Sequence, residues 1–170
     1  MRKYLIAVAV LTAAVSSGLG TAQGADRPAP TGHAPAVAFG SLTTIYVASG
    51  VRDDGGGDNA GAATTFHCSN VSGVAAQIRF PVLNFNGVTA ANITVTVGNG
   101  ITHTKSTHGT AITEDLPHLS PGTAISQGVV AIHSTQSAVF CNAQVVDAAN
   151  PNVAGDLHLV RVNADPNTVE

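Results

Sequence analysis

Oxygen-donor side chains are concentrated in the glycine-rich stretch RDDGGGDNAG, residues 52–61, as Asp53, Asp54, Asp58 and Asn59. Carboxylate and amide oxygens are the ligands that calcium prefers. Their spacing differs from that of an EF-hand, because the donors do not alternate and no glutamate follows at the required position. Three consecutive glycines favour a mobile connection between strands, solvated by its own aspartates. A calcium site completed by other loops is the alternative.

Histidines are the second possible source of chemistry. A zinc or copper site needs several imidazoles around one ion, and the candidate ligands are His67, His103, His108, His133 and His158. No pair shows the two-residue spacing that places both imidazoles on one face of a strand. The pattern therefore favours isolated surface or hydrogen-bonding histidines, and a composite metal site is the alternative.

Motifs for catalysis are missing from the chain. There is no GxSxG, no HExxH, no phosphate-cradling glycine loop and no dinucleotide fingerprint. Glu114 and Asp115 are adjacent carboxylates, whereas a glycosidase requires two carboxyl groups that face each other across a cleft. We therefore predict that the protein is not an enzyme and that it uses no cofactor.

The first residues have the order of a secretory signal peptide. Arg2 and Lys3 precede a short apolar run, and small residues lead to a cleavage site after Gly24. The apolar run is too short for a spanning helix, so we expect a secreted or periplasmic chain with no membrane span after cleavage. Only 10% of residues are charged and the net charge is -3, which excludes an extended basic surface for nucleic acid or anionic membranes.

Cys68 and Cys141 are the only cysteines of the chain. An even number of cysteines in an exported domain favours a disulfide bond, because the compartment is oxidising. Two buried free thiols, or a copper or zinc site, are the alternatives. Strand parity supports the disulfide, since it places both cysteines on the apolar faces of their strands.

Hydrophobic alternation with a period of two recurs along the chain, and no sustained helical period is present. We predict an all-β fold, an antiparallel β-sandwich of about seven or eight strands. The segment ANITVTV is the clearest strand, and Asn86-Gly87 and Asn99-Gly100 predict a three-stranded meander over 76–107. Pro81 lies inside the first of these strands, so that strand is expected at an edge or bulged. The predicted organisation is a signal peptide at 1–24, a Pro-rich linker at 25–35, the sandwich domain at 36–163 and a C-terminal tail at 164–170.

A cysteine in an early strand and another near the penultimate strand resemble the layout of immunoglobulin-like and fibronectin-like sandwiches, over roughly residues 40–163. The chain also resembles short exported bacterial proteins that carry an early HCSN motif and a late CNAQVVDA motif. The first resemblance implies a fold and neither implies an activity. Immunoglobulin domains carry a Trp between the cysteines and a Tyr two residues before the second, but this chain has no Trp, and Val139 occupies the Tyr position.

These features predict a non-catalytic binding or structural module at the cell envelope. It would present loops such as 50–62 and 108–123 to a protein or a glycan, beside the outward-facing residues Thr94, Thr96, Thr102 and Thr104. The alternative is a periplasmic metal-binding protein that uses its histidines.

Overall fold

The computed structural model describes residues 40–111, 118–150 and 154–162. The predicted signal peptide, linker and C-terminal tail, together with Glu114 and Asp115, lie outside the described residues. Within the part that is described, no helix has the length and hydropathy needed to cross a membrane.

Strands build the described structure, and it contains no helix. The strands are β1 Thr43–Asp53, β2 Ala62–Asn70, β3 Ala76–Leu83, β4 Thr89–Val97, β5 Thr102–Ser106, β6 Ile125–Ser134, β7 Val139–Asp147, β8 Ala154–Leu157 and β9 Val160–Arg161. They form a five-stranded sheet in the order β4-β3-β6-β1-β9 and a four-stranded sheet in the order β5-β2-β7-β8, with antiparallel pairing throughout. The predicted antiparallel β-sandwich is therefore confirmed.

The hydrophobic core lies between the two sheets. Phe66 of the four-stranded sheet and Phe80 of the five-stranded sheet are both fully buried, and their ring centroids are 6.0 Å apart. Along β3, buried and half-buried residues alternate without exception, as a strand with one face on the core requires. The inward face of β3 therefore carries Ala76, Ile78, Phe80 and Val82.

The predicted meander over 76–107 is only half present. β3 and β4 form a hairpin around Asn86-Gly87, but β5 pairs with β2 in the opposite sheet. The Asn99-Gly100 turn therefore carries the chain from one sheet to the other. Asn70 fixes this crossing, because its backbone N–H donates to Ile101 and its carbonyl accepts from Gly100 N–H at 2.7 Å.

Pro81 does not lie in an edge strand, so the edge alternative is wrong, and the irregularity lies in the pairing of β3. β3 runs between β4 and β6, and Pro81 pairs with Asn92 of β4. On the other side, the ladder to β6 pairs Arg79 and then Val82, and omits the two residues between them. The missing N–H of proline thus falls where β3 makes no pair with β6.

The segment DLHLVRVN, residues 156–163, has the alternation expected of one strand, but its described residues belong to two separate strands. β8 pairs with β7 in the four-stranded sheet, whereas β9 pairs with β1 in the five-stranded sheet. A single period-two pattern in the sequence therefore spans a change of sheet at His158 and Leu159, which belong to neither strand.

A disulfide bond joins Cys68 and Cys141, as the sequence predicts. The two residues are directly opposite each other in the β2–β7 pair, so the bridge links neighbouring strands of one sheet. Immunoglobulin domains connect their two sheets with the corresponding bond. This chain therefore shares the sandwich architecture and differs in the placement of its disulfide.

Candidate functional site

Thr64 holds together the two chain segments that carry the candidate site. Its hydroxyl donates to the Arg52 carbonyl at 2.7 Å and accepts from the Arg52 N–H at 2.8 Å. Its own N–H donates to the Thr107 hydroxyl at 3.1 Å, and the Thr107 N–H donates to its carbonyl at 2.9 Å. Asp53 and His108 are the next residues in the two segments, so these bonds place them side by side.

Asp53 and His108 form a buried pair. Asp53 is 3% exposed and His108 is 7% exposed, and Asp53 Oδ2 lies 2.9 Å from His108 Nδ1. The other carboxylate oxygen of Asp53 accepts from the Gly55 N–H at 2.7 Å. The second ring nitrogen, Nε2, lies 3.0 Å from the Ala60 carbonyl oxygen, to which it can donate. Both side chains are thus fixed by main-chain groups as well as by each other.

Asp54 is the exposed member of the same cluster. Its carboxylate accepts from the Ala62 N–H at 2.7 Å and from the Gly56 N–H at 3.0 Å. These backbone hydrogen bonds, that from Ala62 first, hold the pKa of Asp54 below its ordinary value, so the group stays ionised. A Cβ at Gly61 would collide with this carboxylate, which explains a glycine at that position. One ligand-type atom from each of Asp53, Asp54 and His108 lies within 4.8 Å of the others.

The glycine-rich stretch is anchored to the body of the domain. Asp58 Oδ1 accepts from the Gly109 N–H at 3.1 Å, and the Asn59 N–H donates to the Gly109 carbonyl at 2.8 Å. The expectation that the aspartates solvate this loop is wrong for Asp53, whose side chain is buried. Asp58 and Asn59 bind the loop to Gly109 and are not part of the Asp53, Asp54 and His108 cluster.

The cluster lies on the wall of a cleft of about 530 Å³. We call this space the acidic cleft; its lining residues are Asp53, Asp54, Gly55, Gly56, His108 and 120–124. The two loops that the sequence suggests as presenting surfaces, 50–62 and 108–123, both contribute to it. Sequence reasoning named Asp53, Asp54 and His108 separately, in a calcium site and in a histidine site, and the fold brings the three together.

This arrangement has the chemistry of a metal site. When Nε2 of His108 carries its proton toward Ala60, Nδ1 presents a lone pair beside Asp53. Metal-binding histidines commonly donate their second ring N–H to a backbone carbonyl, which fixes the tautomer. An imidazole among the ligands favours manganese or zinc over calcium, which takes oxygen ligands.

The other candidate histidines do not assemble. Within the described ranges, one group of three metal-ligating side chains occurs, and His108 is its only histidine. His67 bonds to the Thr104 hydroxyl at 2.9 Å and His133 to the Thr44 hydroxyl at 3.1 Å. His158 is exposed, as predicted, and His103 lies opposite Cys68 on the inward side of β5. Burial lowers the pKa of His67, His103 and His133, with Lys105 and Arg79 contributing at the last two.

A second feature lies on the outer surface of the four-stranded sheet. Strand register places six side chains in two rows across β5, β2 and β7. One row is Thr104, His67 and Asn142, and the other row is Thr102, Ser69 and Phe140. We call this grid the outer polar face; it borders a shallow groove of about 460 Å³. Its side chains are hydroxyls, an amide, an imidazole and one phenyl ring, with no carboxylate or ammonium among them.

Phe140 stands out on the outer polar face, because it is 56% exposed. The guanidinium of Arg161 lies 5.3 Å from the centre of the Phe140 ring, and its nitrogens donate to the Tyr46 hydroxyl and the Ser137 carbonyl. The phenyl ring is therefore supported from one side by a fixed cation. Sequence reasoning missed Phe140 and Asn142; the signal was a large apolar residue at an outward position of β7.

The fold and these two surfaces define a disulfide-bonded, all-β sandwich with an acidic cleft. Comparison of the chain with protein-family models, curated proteins and solved structures gives no significant match.

Proposed function

We propose that this protein is an exported, non-catalytic binding module of the cell envelope whose acidic cleft takes a divalent metal ion. The observation that carries the proposal is the convergence of Asp53, Asp54 and His108, with His108 oriented by the Ala60 carbonyl. Three ligands from two loops leave the remaining coordination positions to water or to a group of a partner. The module would thus bind its partner through, or beside, the metal.

The ligand set favours manganese or zinc over calcium, which was the sequence-based alternative. Two carboxylates and a neutral imidazole suit manganese or zinc, and the Asp53 Oδ2 to His108 Nδ1 distance of 2.9 Å is close to that between neighbouring ligands of an octahedral ion.

The first prediction concerns Asp54, which can be changed without disturbing buried groups. We expect isothermal titration with manganese or zinc to show one site per chain, and Asp54→Asn to weaken it by about tenfold or more. Asp58→Asn is the matched control, because its carboxylate is exposed and outside the cluster. Equal affinities for the wild type and Asp54→Asn, or no binding by the wild type, would refute the proposal.

A glycan is the second candidate ligand, and the outer polar face favours it. Hydroxyl and amide groups beside an exposed aromatic ring match an uncharged sugar, which offers hydroxyls at its edge and C–H groups on its face. The absence of Trp, which is the strongest stacking residue, limits this candidate to weak affinity. It would use a surface separate from the acidic cleft.

Phe140 provides the test of the glycan candidate. We expect electrophoresis through gels that contain neutral soluble polysaccharides to retard the wild-type protein, and Phe140→Ala to abolish most of that retardation. Phe85→Ala is the control, since Phe85 is 71% exposed in the β3–β4 turn. If both variants migrate like the wild type in every gel, the face does not bind neutral glycans.

A further inference from the structure

The four edges of the two sheets are protected to different degrees. An unpaired edge strand is a template for another chain, and proteins protect such edges by short strands, prolines or inward-pointing charges. β8 has 4 residues and β9 has 2. β5 has 5 residues and carries Lys105, which is fully buried. Three edges therefore have a recognisable protection.

β4 has none of these protections. It is 9 residues long, its sequence TAANITVTV contains neither a charge nor a proline, and within the described ranges it pairs with β3 alone. Its core-facing side chains Ile93 and Val95 are only half-buried, although they pack against the hydrophobic core. A strand with this length and composition is suited to accept another strand.

We propose that β4 pairs with β4 of a second copy of this chain, which gives a two-fold dimer with one continuous sheet. An antiparallel pair centred on Ile93 matches all 9 residues of the strand. Residues directly opposite each other then share a face: Ala91 meets Val95 on the core side, and Asn92 meets Thr94 on the outer side. The strand is therefore complementary to itself.

Exposed apolar residues at the two ends of β4 support a second copy as the partner. Val88 precedes the strand and is 61% exposed, whereas Ile101 follows it beyond the turn and is 53% exposed. Antiparallel pairing brings the Val88 end of one copy beside the Ile101 end of the other. The two-fold contact uses the same edge of both copies and is closed, so assembly through β4 stops at the dimer.

Charge placed on the outer side of β4 tests this dimer. In the double variant Asn92→Glu and Thr94→Glu, each glutamate faces a glutamate of the other copy, and like charges directly opposite destabilise strand pairing. Within one chain Arg79 adjoins both positions, since it pairs with Thr94 and its Nε donates to Asn92 at 2.6 Å. The monomer should therefore keep its fold, which circular dichroism would check.

The measurement is molar mass in solution, by sedimentation equilibrium of the mature chain over a range of concentrations. We expect the wild type to approach twice the chain mass as concentration rises, and the β4 double variant to stay at one chain mass. Thr102→Glu with Thr104→Glu is the control, because it adds the same charge to β5 and leaves β4 intact. A wild type that stays at one chain mass, open assemblies larger than a dimer, or a β4 variant that dimerises like the wild type would overturn the proposal.

Discussion

Replacing Asp53 with alanine is expected to lower the free energy of unfolding by about 3 kcal/mol. The substitution removes the partner of His108 Nδ1 and the acceptor of the Gly55 N–H. Asp53 is 3% exposed and His108 is 7% exposed, whereas Gly55 is exposed and its N–H can bond to water instead. Loss of the partner of the buried His108 imidazole therefore accounts for most of the effect.

Urea unfolding of the wild type and of matched aspartate variants would measure this effect. Asp58→Ala is the control: its side chain is 67% exposed, and we expect a loss below about 1 kcal/mol. Asp53→Asn retains an acceptor oxygen, so its loss of unfolding free energy should lie between those of Asp53→Ala and Asp58→Ala. If Asp53→Ala loses no more stability than Asp58→Ala, the Asp53 and His108 pair does not hold the loop. Saturating manganese should raise the stability of the wild type and leave that of Asp53→Ala unchanged.

Most of the fold could be predicted from the period-two hydrophobic alternation of the sequence. It identified the segment ANITVTV, which is part of β4, as a strand, and it placed Cys68 and Cys141 on inward faces before their pairing was known. The sheet to which a strand belongs is a different matter, because Asn-Gly turns occur in hairpins and in crossings alike. Asn99-Gly100 shows this, because the chain crosses there to the other sheet. The Asn70 N–H then donates to the Ile101 carbonyl.

The candidate site illustrates the same limit. Asp53 and His108 are 55 residues apart, and nothing local to either relates it to the other. Their meeting depends on Thr64, whose hydroxyl binds the end of β1 and whose backbone binds the chain after β5. The residue types could therefore be selected from the sequence, whereas the combination of a carboxylate pair with a histidine required the strand order.

Removal of the disulfide bond is expected to cost about 4 kcal/mol in the double variant Cys68→Ala and Cys141→Ala. The bridge closes a loop with a sequence separation of 73 residues, and it restricts the unfolded chain across most of the domain. Cys68 is also fully buried against the core, so truncation adds a small packing loss.

Unfolding in urea with and without reductant separates these two contributions. Reduced wild type should unfold near the midpoint of the double variant, and reductant should not change the double variant itself. Because the bond lies between β2 and β7, beside His67 and Asn142, its loss should also loosen the outer polar face. A loss below about 1 kcal/mol would mean that β2 and β7 remain associated in the denatured chain without the bond, so the bond would restrict little that is free.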